Sequence, residues 1–275
     1  MNIQPKWEAL GNSVRGVSHI ASNKPNQDAI QIDATSSIAL VAVSDGHGSQ
    51  KYFRSERGSA IAVKVAQSFL QQCVSSLEKA TVKDMSFMTT VLGKKLCQRW
   101  VDEVNTDIEQ HPFSDLEKET LEYYGIALEE GFVVYGATLL AALVTNEYAL
   151  FFQLGDGDIV FVSETGVVDR VFSAEDSLIT NETHSLSEPE AWRYGRVSLR
   201  LWESEVPSLI MLSTDGYSNS FSSDEGFEQV GSDMISLIKD KGVAYVKENL
   251  KGWLKEASKI GSGDDVTVGI LSRTK

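Results

Sequence analysis

Three apolar runs in this chain stop abruptly on an aspartate beside a glycine: LVAVSDGHG at 40–48, FFQLGDGD at 151–158 and LIMLSTDGYSN at 209–219. Runs of this kind are built for burial, so each carboxylate has to stand where a buried strand emerges from the core. A fourth, Asp264, sits in GSGDDVTVGIL at 261–271, at the start of another apolar run. The ends of separate strands can converge, so a fold for this chain has to accommodate several carboxylates at strand ends.

The pattern between these junctions separates strands from helices. AIQID and SIALVAV, divided by the turn-like ATSS, predict a hairpin that delivers Asp45 to a strand end. Beyond it the period lengthens. Ile61, Val65, Phe69, Cys73 and Leu77 predict a helix from Ser55 to about Ala80, and Met88, Leu92, Leu96, Trp100, Val104 and Ile108 a second from about Met85 to Ile108. Residues 109–131 read as a charged connection holding a short helix. From Phe132 to Val168 the chain reads as a β-meander, and VSLRLWE and SLIMLS add two strands. Residues 173–195 are polar and without period, as expected of a flap-like surface excursion. One C-terminal helix is expected over about Ser232–Ala257. Helices inserted among runs of short strands, without strict βαβ alternation, predict an α+β fold: a four-layer α-β-β-α sandwich of two mostly antiparallel sheets flanked by helices.

A chain of 275 residues with 42% hydrophobic content can bury a substantial core, and no stretch resembles a linker, so one domain over 1–275 is expected. The formal net charge of −14 repels a phosphate backbone, which argues against nucleic acid as a partner and requires local positive charge for any anionic substrate. Cys73 and Cys97 are far apart and in no CxxC pair, which suggests core thiols in a reducing compartment. MNIQPKWEALGNSVRG lacks the basic start and apolar stretch of a secretory leader, and the run at 132–144 is too short to span a bilayer. A soluble, cytoplasmic protein without membrane association is expected.

Asp45, Asp156, Asp215 and Asp264 each stand in a Gly-containing or Asp-paired context. One Asp-Gly after a strand is usually a turn, but three such junctions together with GSGDD also fit a metal site. Gly46 has no Cβ, so its carbonyl could approach a cation closely. Clustered carboxylates with no Cys and little His suit Mg²⁺ or Mn²⁺ rather than Zn²⁺, and two such ions could activate a water and neutralise a phosphoryl group together. His47 alone fits a turn residue or an acid beside the metals.

Taken in order, NQDAI at 26–30, VSDGHG at 43–48, GATLLAAL at 136–143, LGDGDIVF at 154–161, LSTDG at 212–216 and GSGDDVTVGIL at 261–271 resemble the metal-dependent protein phosphatases of the 2C type, in a compact bacterial-like branch. The resemblance runs from about residue 11 to 272. It implies two central antiparallel sheets flanked by helices, with a binuclear Mn²⁺/Mg²⁺ centre at one end that hydrolyses phosphoserine and phosphothreonine in proteins through a metal-activated water. Carried over residue by residue, it implies that Asp45 bridges two metals, that the Gly46 carbonyl completes one sphere, and that Asp215 and Asp264 bind the other ion. It implies as well that Asp28 acts nearby through water, that His47 is the acid to the leaving alkoxide, and that Asp156 helps hold a third, weaker metal. A phosphoprotein substrate and a cognate Ser/Thr kinase follow as implied partners.

The chain departs from that pattern at three positions. Gln27 stands where many relatives have Glu, Asn23 where many carry a phosphate-gripping Arg, and Asn219 where many have a second Asp beside the third metal. The nearest cationic substitutes for the Arg are Lys24, preferred because it stays charged at neutral pH, and His19, with Arg15 and Arg54 further off. Two other functions fit the same centre: a catalytically weak module that binds phosphoproteins, and a phosphatase of small metabolites.

Overall fold

The computed structural model describes residues 6–77, 82–172, 183–202 and 206–274. Two five-stranded sheets, antiparallel at every pairing, carry the fold. The first contains β1 (Lys6–Val14), β6 (Asp158–Val162), β7 (Val168–Arg170), β9 (Leu209–Ser213) and β10 (Val266–Thr274), in the order β1-β10-β9-β6-β7. The second is β2 (Ala29–Ala34), β3 (Ala39–Ser44), β4 (Leu139–Val144), β5 (Tyr148–Leu154) and β8 (Arg196–Leu201), paired in chain order. Helices α2 (Ser55–Leu77) and α3 (Val82–Gln110) cover the outer face of the second sheet, while α6 (Asp224–Lys241) and α7 (Val243–Ile260) cover that of the first. The shorter helices are α1 (Val17–Ala21), α4 (Asp115–Tyr123) and α5 (Asp215–Ser218). The layers are α-β-β-α, as expected.

The period-2 geometry of the strands explains why the apolar runs are uninterrupted. In β3, Leu40 and Ala42 face the helices while Ala39, Val41 and Val43 face the other sheet, and all five are fully buried. In β9, Leu209 and Met211 face α6 and α7 while Ile210 and Leu212 meet the second sheet. Central strands covered on both faces have no solvent side to mark with polar residues. Among the described residues no helix is long and apolar enough to cross a membrane.

Five points of the sequence reading need correction or completion. The run read as strand from Phe132 begins as a 3-10 helix, Leu128–Tyr135, and becomes β4 only at Leu139. Tyr135 explains this, because its hydroxyl donates to Asp107 (2.7 Å) and accepts from Arg54 (2.8 Å), which docks the segment on the helices. The meander is two hairpins in different sheets, since the chain leaves β5 and enters β6 on the other side of the sandwich. The single C-terminal helix is two, broken at Gly242, whose φ of +86° ends α6 in a conformation that side chains resist. Strand β1 fell in a stretch with no strand signal, and is specified by its nine-residue register with β10. Of the excursion expected at 173–195, residues 173–182 lie outside the described residues; 183–195 form turns and a short 3-10 helix, Ala191–Arg193.

Candidate metal centre

Strand register brings the carboxylates to one end of the sandwich. Ser44 at the end of β3 pairs with Ala29 at the start of β2, so Asp45 and Asp28 are neighbours. In the other sheet Ser213 at the end of β9 pairs with Asp158 at the start of β6 and with Val268 in β10. That puts Asp215 just past β9, Asp156 just before β6, and Asp264 and Asp265 just before β10 at the same edge. Asp45, Gly46, Asp156, Asp215 and Asp264, together with His19, His47, Gly48 and Thr183, line one open cleft of about 160 Å³. The loop from β5 to β6 therefore crosses between the sheets at the mouth of the site.

The DGHG turn is held by backbone bonds on both sides. Asp45 N–H donates to Thr138 Oγ1 (3.0 Å), Thr138 N–H returns to the Asp45 carbonyl (2.8 Å), and His47 N–H reaches the Gly136 carbonyl (3.0 Å). A Cβ on Gly46 would stand 2.7 Å from the carbonyl oxygens of both Gln27 and Ser55, so glycine is needed here for packing as well. The Gln27 side-chain amide donates to the His47 carbonyl (3.2 Å) and to Ser55 Oγ (2.5 Å).

Three carboxyl groups at this edge are largely shielded from water and raised by that burial. Burial pushes the Asp28 carboxyl up to about 8, against hydroxyl bonds from Thr267 (2.7 Å) and Thr214 (2.8 Å) and aided by the charges of Asp265 and Asp264. Burial, followed by the charges of Asp28 and Asp215, drives Asp45 well above the carboxylate range. Asp215 is raised by burial and then by Asp156. Asp28 Oδ1 and Asp215 Oδ1 are buried without a hydrogen-bond partner among the described residues. Oxygen acceptors that are orphaned, desolvated and mutually repelling are what a hard divalent cation satisfies, so the residues fit Mg²⁺ or Mn²⁺.

The cations expected at the site differ in placement. His19 lines the cleft, with Nε2 3.5 Å from Asp264 Oδ1 and Nδ1 2.9 Å from Asp265 Oδ2. Lys24 stands at the rim and donates its Nζ to the Gly48 carbonyl (2.8 Å). Arg54 is buried and turned away, its guanidinium forked onto Glu117 (2.7 and 3.0 Å) and bonded to the His111 carbonyl. Arg15 donates to the His19 carbonyl (3.0 Å). Asn219 donates to Asp215 Oδ2 (3.1 Å), and Asp156 accepts from the Thr183 hydroxyl. Burial lowers the His47 imidazole from its ordinary value, opposed by the charges of Asp156 and Glu188.

Sequence reasoning missed Asp265, Thr214, Thr267 and Thr183. The two threonines left a faint signal as hydroxyls inside apolar strands, in LSTDG and DDVTV. Asp265 was visible only as the second member of a pair, and nothing set Thr183 apart from its polar surroundings.

Comparison with known proteins bears on the family and the fold. A family model described as protein phosphatase 2C matches residues 15–255. No curated protein matched the sequence. Among solved structures, the catalytic domain of the serine/threonine protein phosphatase PstP in complex with two manganese ions superposes with a TM-score of 0.56 at 15% identity, covering 98% of this chain and 100% of that one. The Mycobacterium tuberculosis phosphatase PstP/Ppp gives 0.56 at 16% identity, over 97% and 98%. PppA of Pseudomonas aeruginosa, a key regulatory component of T6SS, gives 0.56 at 15% identity, over 98% of each chain. At these identities the likeness to the solved structures is one of fold.

Proposed function

The chain belongs to the protein phosphatase 2C family, and from that premise we propose that it hydrolyses phosphoserine and phosphothreonine in proteins with a pair of Mn²⁺ or Mg²⁺ ions. The observation that carries the reading is the convergence of Asp28, Asp45 and Asp215, all raised by burial and with Asp28 Oδ1 and Asp215 Oδ1 unpartnered among the described residues, at the ends of strands from both sheets. Asp45, the Gly46 carbonyl, Asp215 and Asp264 would hold the two ions, and Asp156 stands where it could serve a third. Bound there, the ions supply an activated water and neutralise phosphoryl charge.

The chain's own groups divide the remaining work. Asp28, braced by Thr214 and Thr267, keeps Oδ1 free to orient water beside Asp45. His47 stands in the cleft wall against Tyr52, with ring centroids 4.8 Å apart, where it can return a proton to the departing serine or threonine oxygen. The His19 ring lines the cleft, whereas the Lys24 ammonium is engaged at the rim, so His19 takes first place as the contact to the outward phosphoryl oxygens. The partners of this reading are a phosphorylated protein and the Ser/Thr kinase that modified it, in the cytoplasm. The test is turnover of a phosphopeptide library by the purified protein with Mn²⁺, with Mg²⁺ and with chelator, alongside an aryl phosphate. Metal-dependent release of phosphate from phosphoserine or phosphothreonine peptides is expected. Turnover of the aryl ester alone would indicate a small-molecule phosphatase, and peptide binding without turnover a binding module.

A further inference from the structure

Asp265 is 3% exposed, yet it makes no salt bridge to Lys or Arg among the described residues. Its Oδ1 accepts the Gly16 N–H at 2.6 Å and its Oδ2 the Gln27 N–H at 2.6 Å. These two amides are the first and last of the segment 16–27, which leaves β1, forms α1 and returns to β2. Between them His19 turns back, with Nδ1 2.9 Å from the same Oδ2, a close contact without hydrogen-bond alignment, and Nε2 toward Asp264 and the cleft. Ser18 fastens α1 further, its N–H (3.0 Å) and hydroxyl (2.7 Å) both donating to the Gly263 carbonyl.

We propose that Asp265 is a positioning residue: one buried carboxylate closes the segment 16–27 at both ends and orients His19 so that Nε2 faces the phosphoester. A carboxylate held by two backbone amides is fixed, so a ring that packs against it at 2.9 Å, although without hydrogen-bond alignment, is restrained as well and keeps its opposite nitrogen on the cleft side. The part that concerns the phosphoester rests on the phosphatase reading; the part that concerns the segment does not.

Asp265→Asn keeps the volume but sets an amide NH₂ against a backbone N–H, so one of the two end bonds is lost. In the metal-free protein this variant is expected to speed exchange of the Gly16 or Gln27 amide at least about tenfold and to shift the His19 ring resonances, whereas His19→Ala leaves both amides protected. In the Mn²⁺-loaded enzyme Asp265→Asn and His19→Ala should each raise KM for a phosphoserine peptide about tenfold with kcat within about threefold, and the double variant should be no worse than either. Effects that multiply to about a hundredfold, or exchange and ring spectra unchanged in Asp265→Asn, would overturn the assignment. His19→Ala leaves the end bonds in place, so an unchanged KM in that variant overturns the contact even where Asp265→Asn folds poorly. Should the wild-type protein turn over no phosphopeptide, the phosphatase reading fails, and exchange and ring spectra alone decide for or against the role of Asp265.

Discussion

Asp45 stands between Asp28 and Asp215 with little water to screen the three carboxyls, so without a cation its charge works against the fold. Asp45→Asn is expected to cut metal-dependent turnover by roughly 10²-fold or more, the scale of the several kcal/mol that a bound metal supplies. The same change should raise the melting temperature in EDTA and remove most of the stabilisation by Mn²⁺; a lowered melting temperature in EDTA would contradict this account. Gln27 makes a second case. Its amide donates to the His47 carbonyl and to Ser55, and a carboxylate in its place would meet the carbonyl oxygen with no hydrogen to offer. Gln27→Glu, although it restores a residue common among relatives, should cost about 1–3 kcal/mol in urea unfolding near neutral pH and lower activity at fixed metal concentration; unchanged stability with raised activity would refute it. The two residues also differ in legibility. Asp45 could be found because a carboxylate ending an apolar run is conspicuous in one dimension. The roles of Gln27 and Asp265 depend on a carbonyl and two amides that other segments bring to them, and no local pattern records that.

At the scale of elements, the site is held by contacts between α2 and the 3-10 helix at Leu128–Tyr135. A Cβ on Gly58 of α2 would lie 1.7 Å from the Tyr135 carbonyl oxygen, and the Gly58 carbonyl itself accepts the Trp100 indole N–H at 3.0 Å. The next residue after this 3-10 helix, Gly136, presents the carbonyl that receives His47 N–H. Gly58→Ala has to push the two backbones apart, so a loss of about 1–3 kcal/mol is expected in thermal or urea unfolding, with reduced kcat from the displaced DGHG turn; wild-type stability would mean that the helices slide apart freely. Long periodic helices such as α2 and α3 were legible because their apolar stripes repeat over many turns. The 3-10 helix was not, since FVVY has strand composition and what docks it as a helix, the hydroxyl bonds of Tyr135 to Arg54 and Asp107 among them, comes from distant segments. The break at Gly242 was hidden because α6 and α7 each bury apolar residues against the same sheet, giving one unbroken stripe in the sequence.

At the scale of the whole molecule, the least legible feature was the passage from β5 to β6 between sheets, because two neighbouring hairpins and one meander have the same alternation in sequence. That passage assembles the acidic edge, and its electrostatic consequence can be measured without knowing the substrate. A carboxyl whose folded value is raised stabilises the fold while it holds its proton. Its contribution is complete below its ordinary value of 3.8 and is lost as pH rises through the folded value, about 8 for Asp28. His47 runs the other way, since its value is lowered from 6.5: its contribution grows with pH up to 6.5 and is constant above. Glu117, held down to about 2 by Arg54, and Asp107, also lowered, contribute fully and constantly above 4.5. The thiols of Cys73 and Cys97 are raised above 9.0 by burial and enter only at alkaline pH. Between pH 6.5 and about 8.5 the raised carboxyls therefore dominate this balance, and the unfolding free energy in EDTA should fall as pH rises across it. A divalent cation replaces the lost protons, so saturating Mn²⁺ should stabilise the protein more at pH 8 than at pH 6.5. Urea unfolding at both values, with EDTA and with Mn²⁺, measures the four free energies. Metal-free stability that rises between pH 6.5 and 8, or a Mn²⁺ increment that shrinks, would mean that these carboxyls are not desolvated together at the strand ends.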